Sequence, residues 1–161
     1  MNKMILGLLL LVGNVPVLTQ NAVRANFSGD WVLDKSQSRL QIPMPDSTVF
    51  HVEHNERFFK LTRTHVMKGQ SDTLTIDLRT DGEETVLKRP EEIVYSRCHW
   101  EGEKLVFESR VVREGGEGTN VVKYSLSPDG LMLVANERFE GPALKYENAW
   151  IFLRAPTGKN P

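Results

Sequence analysis

Asn26-Phe27-Ser28-Gly29-Asp30-Trp31 opens the first β-rich stretch of a 161-residue chain. A Gly-x-Trp near the start of a strand lets a large indole lie across one end of a small β-barrel while the glycine leaves room for it. Period-2 alternation carries Phe27, Gly29, Trp31 and Leu33 to one face of that strand. Trp150 and Phe152 share a face of the last strand, so closure of first strand on last would bring these aromatics together as a packed barrel floor. A stacking platform for a ligand is the functional counterpart of that reading, and it makes Trp31 a candidate ligand contact.

Ahead of this stretch, Met1 to Ala25 reads as an export signal: Lys3 supplies a positive start, Met4 to Val12 is apolar, and Val23-Arg24-Ala25 offers small residues for cleavage near Ala25. The apolar run is about half of the ~20 residues a membrane-spanning helix needs, and Gly13-Asn14 and Pro16 interrupt it. The expectation is an exported protein, periplasmic or secreted. The whole chain carries 20 Lys and Arg against 21 Asp and Glu. Without Lys3 and Arg24 the mature 136 residues would carry 18 against 21, a net charge of −3. Mild acidity without a basic cluster argues against nucleic-acid binding, which wants Lys and Arg gathered on one face.

Beyond Trp31 the chain alternates short β-rich runs with turn chemistry, and no stretch has helical periodicity. This spacing predicts an all-β fold, a single up-and-down antiparallel β-barrel of about eight to ten strands occupying residues 26–154, with 155–161 as a flexible tail. The strands are placed near Phe27–Asp34, Thr48–His54, Phe58–Met67, Asp72–Arg79, Glu84–Lys88, Ile93–Trp100, Lys104–Val112, Asn120–Leu126, Leu131–Phe139 and Leu144–Leu153. Lys68-Gly69-Gln70, Asp81-Gly82, Glu101-Gly102, Pro128-Asp129-Gly130 and Gly141-Pro142 mark hairpin turns. Gly115-Gly116-Glu117-Gly118 reads as a longer flexible connection. Lys35 to Ser47, with Pro43 and Pro45, reads as a stiff flap across one mouth. Closing the sheet removes the exposed edges an open meander would keep.

Phe27-Ser28-Gly29-Asp30-Trp31-Val32-Leu33, followed by Ser36, resembles the first strand of the calycin superfamily, which includes lipocalins, fatty-acid-binding proteins and avidins. The meander extends the likeness over the mature chain, and the whole is most similar to the small exported lipocalin-like proteins of bacteria. The resemblance implies a barrel with an interior cavity and names no ligand. Fatty-acid-binding proteins insert a helix-turn-helix lid between strands one and two; Lys35–Ser47 is too short and too proline-broken for one. Lipocalins usually carry a disulfide and a C-terminal helix, whereas this chain has the single Cys98 and ends in a strand.

Candidate chemistry is sparse. Arg63 and His65 share a strand face with Phe59, Leu61 and Met67, a mixture that suits an amphipathic or anionic ligand whose carboxylate an inward Arg would hold. On the sixth strand Tyr95, Arg97 and His99 lie on one face and Val94, Ser96, Cys98 and Trp100 on the other. The second face is the more apolar, which makes Tyr95 and Arg97 an outer ladder unless they bind ligand. His51 and His54 fall on opposite faces of a strand and cannot both ligate one metal. No Ser-His-Asp order, nucleophile elbow or Cys-x-x-Cys is present, and neither a cofactor nor an enzyme activity is expected. The leading expectation is a barrel that binds a small apolar or amphipathic ligand in its interior. The alternative is a filled barrel acting as a protein-interaction or inhibitor module, and a third reading is a cavity enzyme using inward His, Arg or Glu.

Overall fold

The computed structural model describes residues 24–156. The expected export signal lies outside the described residues except for Arg24 and Ala25, and so does the tail beyond Pro156. Ten strands follow one another: β1 (Gly29–Leu33), β2 (Ser47–His54), β3 (Phe58–Met67), β4 (Gln70–Arg79), β5 (Thr85–Lys88), β6 (Glu92–Glu101), β7 (Lys104–Arg113), β8 (Gly116–Leu126), β9 (Met132–Glu140) and β10 (Lys145–Arg154). They form one antiparallel up-and-down sheet in the order β4-β3-β2-β1-β10-β9-β8-β7-β6-β5. Short β1 pairs β2 on one side and β10 on the other, with Leu33 opposite Phe152 and Trp31 opposite Arg154. That seam curls the sheet into a nearly closed barrel. Its two ends, β4 and β5, exchange no ladder bonds, although the Gly82 amide donates to the Cys98 carbonyl at 2.9 Å just below them.

Alternation sets the wall. On β2, Thr48, Phe50 and Val52 are buried while Ser47, Val49, His51 and Glu53 are exposed. The inward residues of the other strands join Phe27, Trp31, Leu33, Phe59, Leu105, Leu133 and Phe152 in a single apolar core. Trp31 is fully buried, and its Nε1 donates to the Phe27 carbonyl at 2.9 Å. The Arg154 guanidinium lies 4.1 Å from the Trp31 ring centre, donating to the Ser28 carbonyl at 2.8 Å and the Gly130 carbonyl at 3.0 Å. At Gly29, φ is +133° and an added Cβ would sit 2.5 Å from Arg154 Nη1. The glycine therefore makes room for the arginine that covers the indole, rather than for the indole itself.

Two connections differ from expectation. The glycine-rich stretch is no long loop, because Arg113 pairs Gly116 across a two-residue turn and β8 begins at once. Gly116 has φ +122° there, and a Cβ on it would come within 2.8 Å of Pro142. The Lys35–Ser47 flap does not cross the mouth. Asp34 Oδ1 accepts from the amides of Ser36 and Gln37 in a tight turn, after which Arg39 exchanges two 2.8 Å backbone bonds with Ala149. The Gln41 amide then donates to Asn148 Oδ1 at 2.8 Å, and Asp46 rejoins β3 at Val66. Backbone that would otherwise lack partners at the widening seam between β10 and β2 recruits this segment into the wall, with Leu40 and Ile42 packed on the core.

Cys98 is fully buried, and burial pushes its thiol up to about 12. A thiol-specific reagent at pH 8 should leave the folded protein unlabelled and modify one thiol per chain once it is denatured, as a colorimetric thiol assay would read.

Candidate ligand cavity

The barrel is not filled. Above the floor of Phe27, Phe59, Trp100 and Tyr124 lies a cavity of about 430 Å³. Phe50, Leu61, Leu74, Ile76, Phe107 and Val122 supply much of its apolar wall. Five consecutive residues of β4, Leu74 to Leu78, border it, together with Thr85 and Leu87 of β5. Since alternate residues of a strand point to opposite sides, space touched by all five is reached past the free edge of β4. The cavity thus runs to the slit between β4 and β5.

A polar cluster is set into this wall from β3, β8, β9 and β10. Glu137 lies on the inward face of β9 beyond Leu133 and Ala135, and its carboxylate is the cluster's centre. It accepts from Trp150 Nε1 at 2.8 Å, Asn148 Nδ2 at 2.9 Å and Asn120 Nδ2 at 3.3 Å. Burial first, and then the Glu137 charge, push the Tyr146 phenol up to about 12. Arg63 borders the same space. Its Nη2 donates to the exposed Asp72 at 3.1 Å, while its buried Nε has no partner. His65 Nδ1 meets Thr48 Oγ1 at 2.9 Å, and its ring lies against Trp150, centres 5.6 Å apart. Burial, then the Arg63 charge, hold the His65 pKa below its ordinary 6.5 despite the opposing pull of Asp72 and Glu137.

Of the residues singled out from sequence, Arg63 and His65 line the cavity. Trp31 lies in the floor and does not border it. Tyr95 and Arg97 sit on the outer face of β6, Tyr95 beneath the Arg110 guanidinium at 4.0 Å and Arg97 paired with Glu108, so neither reaches the interior. His51 is exposed beside Asp30, whereas His54 is tucked among Phe27, Phe59 and Trp100. Sequence reasoning missed Glu137, Asn120 and Arg154. The available signals were the inward register of Glu137 with Leu133 and Ala135, and the cation on β10 that closure sets opposite Trp31.

No family model matches the chain, and neither does any curated protein. Solved structures do match. A secretory abundant heat soluble protein from Ramazzottius varieornatus superposes with a TM-score of 0.54 at 10% identity, covering 80% of this chain and 94% of that one. Secretory abundant heat soluble protein 4 from the same organism gives 0.52 at 14% identity, covering 81% and 95%. The fold is a calycin-like barrel. Zebrafish ileal bile acid-binding protein complexed with cholic acid gives 0.49 at 15% identity, covering 80% and 98%.

Within this calycin-like barrel, His54 and His65 make stability depend on pH. Burial holds both pKa values below 6.5, so above that pH both rings are neutral whether the chain is folded or not. As pH falls through 6.5 the unfolded chain takes up protons first, and the folded state loses stability until its own histidines titrate. Thermal melts should show a lower Tm at pH ~5.5 than at pH ~7.5, with a smaller drop in the His54→Gln/His65→Gln double variant. An equal drop in that variant would assign the effect to other groups.

Proposed function

We propose that this protein is an exported carrier that holds one small hydrophobic or amphipathic molecule inside its barrel, and that it binds rather than transforms that molecule. The observation that carries the reading is the interior cavity of about 430 Å³, apolar along most of its wall and furnished at one side with Arg63, His65, Asn120 and Glu137. Volume and lining match small-molecule sites, which are concave, mainly apolar and fitted with a few placed polar groups. A side-chain-filled barrel would leave no such space. Export after cleavage near Ala25 is part of the same proposal. It is supported by the signal-like character of residues 1–25 and by the position of Phe27, a fully buried core residue two places later.

Native mass spectrometry of the protein incubated with a lipid and metabolite extract, set beside its denatured mass, tests the carrier reading. A retained small molecule is expected. An unloaded mass across varied extracts would overturn it in favour of a barrel acting through its surface.

A further inference from the structure

One carboxylate bordering the cavity has no counter-ion and is set into the interior wall. The charged side chains around that space are Arg63, Arg89, Asp77, Glu92 and Glu137. Arg63 is engaged by Asp72 at 3.1 Å and Arg89 by Glu92 at 2.9 Å, while Asp77 is exposed on β4. Glu137 makes no ion pair among the described residues and rests on neutral donors alone. Burial, then the Arg63 charge, hold the His65 pKa below 6.5, so above that pH the ring offers no compensating charge. With each arginine matched by a carboxylate of its own, the interior wall carries its excess negative charge at Glu137. Two tyrosines sense the same sign. Burial first pushes the Tyr124 and Tyr146 phenols up, and at both the Glu137 charge outweighs the opposing Arg63 charge.

The two oxygens of this carboxylate are not equally occupied. Oε2 accepts from Trp150 Nε1 at 2.8 Å and Asn148 Nδ2 at 2.9 Å, and Asn148 turns its other end to the wall segment at Gln41. Oε1 accepts only from Asn120 Nδ2, at 3.3 Å, and Asn120 borders the cavity. Since a carboxylate oxygen accepts about two hydrogen bonds, Oε1 keeps room for a further donor. A charged donor gains most there, because a charge-assisted bond is about twice as strong as a neutral one. The neutral donors already compensate the burial of Glu137 and fix it in place, so a cation entering the cavity has chiefly its own desolvation to offset. Phe50, Phe107, Tyr124 and Trp150 border the same space, and the faces of such rings attract cations. A carboxylate drawn toward Arg63 would instead compete with Asp72 and be repelled by Glu137.

Resting on the carrier reading above, we propose that the cavity selects a cationic amphiphile, an apolar body ending in a protonated amine, over the corresponding alcohol or carboxylate. The ammonium donates to Glu137 Oε1, and Glu137 is the specificity determinant.

The test is displacement of the neutral fluorophore N-phenylnaphthylamine from the full-length protein by a matched dodecyl set: amine, alcohol and carboxylate. At pH ~7.5 the amine should displace the probe at a concentration about tenfold below that needed for the alcohol, with the carboxylate weakest. Glu137→Gln keeps the shape and removes the charge, and it should bring the amine to within about threefold of the alcohol while leaving the alcohol itself unchanged. Arg63→Gln removes the opposing cation and should tighten the amine and weaken the carboxylate; it reports even if Glu137→Gln fails to fold. An alcohol or carboxylate that binds as tightly as the amine, an amine advantage that survives Glu137→Gln, or amine binding unaltered in Arg63→Gln overturns the proposal while leaving the carrier reading standing. Failure of the probe and every dodecyl compound to bind removes the carrier reading and this selectivity together.

Discussion

Replacing Trp31 with Ala should destabilise the fold by about 3–5 kcal/mol, the range for truncating a large, fully buried aromatic. Three losses add up at this one site. The indole fills the closed end of the barrel beside Phe27, its Nε1 satisfies the Phe27 carbonyl, and its face carries the Arg154 guanidinium. Truncation leaves a void, an orphaned carbonyl and a cation over empty space. Since β1 is only five residues long and is the seam between β2 and β10, there is little other packing to hold it. Urea denaturation followed by far-UV circular dichroism reads the change as a shift in midpoint. Trp31→Phe, which keeps most of the ring volume but loses the indole N–H, should fall between the two. A midpoint for Trp31→Ala equal to that of the parent would show that the floor is organised by something other than the indole.

Glu137→Ala should cost about 2–4 kcal/mol, although it removes a charge from a partly buried position. The carboxylate is the common acceptor for Trp150, Asn148 and Asn120, and a buried donor left without an acceptor costs about 1–3 kcal/mol. Some of those donors will find water from the cavity, which keeps the total below the plain sum. The damage should also travel. Asn148 donates to Glu137 with one end of its amide and accepts from the Gln41 backbone with the other, so freeing it loosens the segment that completes the wall beside β10. Hydrogen exchange at the Gln41 amide should accelerate in Glu137→Ala, and less so in Glu137→Gln, whose amide oxygen still accepts. Unchanged protection at Gln41 would show that the wall segment is held independently of the cluster.

Most of the architecture could be read from the chain because each strand advertises itself locally. Phe58–Met67 has the boundaries expected, and the others differ by a few residues at their ends, since turn residues and alternation are short-range signals. The glycine-rich stretch misled because glycine marks both slack loops and tight turns, and only the pairing of Arg113 with Gly116 decides between them. The wall segment from Arg39 to Asp46 was illegible for a different reason: its partners, Ala149, Asn148 and Val66, lie far away in sequence. Arg63 and His65 stood out as polar residues on an apolar face. Glu137 did not, because one acidic residue on a strand is unremarkable until three donors from β8 and β10 converge on it.

All but one of the ladders in this barrel join strands adjacent in sequence. Eight hairpin contacts can therefore form as soon as the two strands involved exist, with loop-closure costs that stay small. The exception is β1 with β10, whose paired residues Trp31 and Arg154 stand at opposite ends of the described chain. During synthesis the first of the ten strands emerges before all the others and its second neighbour after them, so the Trp31 indole waits for its arginine until the whole sheet has been made. Until then β1 is an edge strand carrying a large exposed aromatic, the kind of surface that invites pairing with another chain. The residue pair that gives the finished barrel its closed end is thus also the one that leaves the unfinished chain most vulnerable.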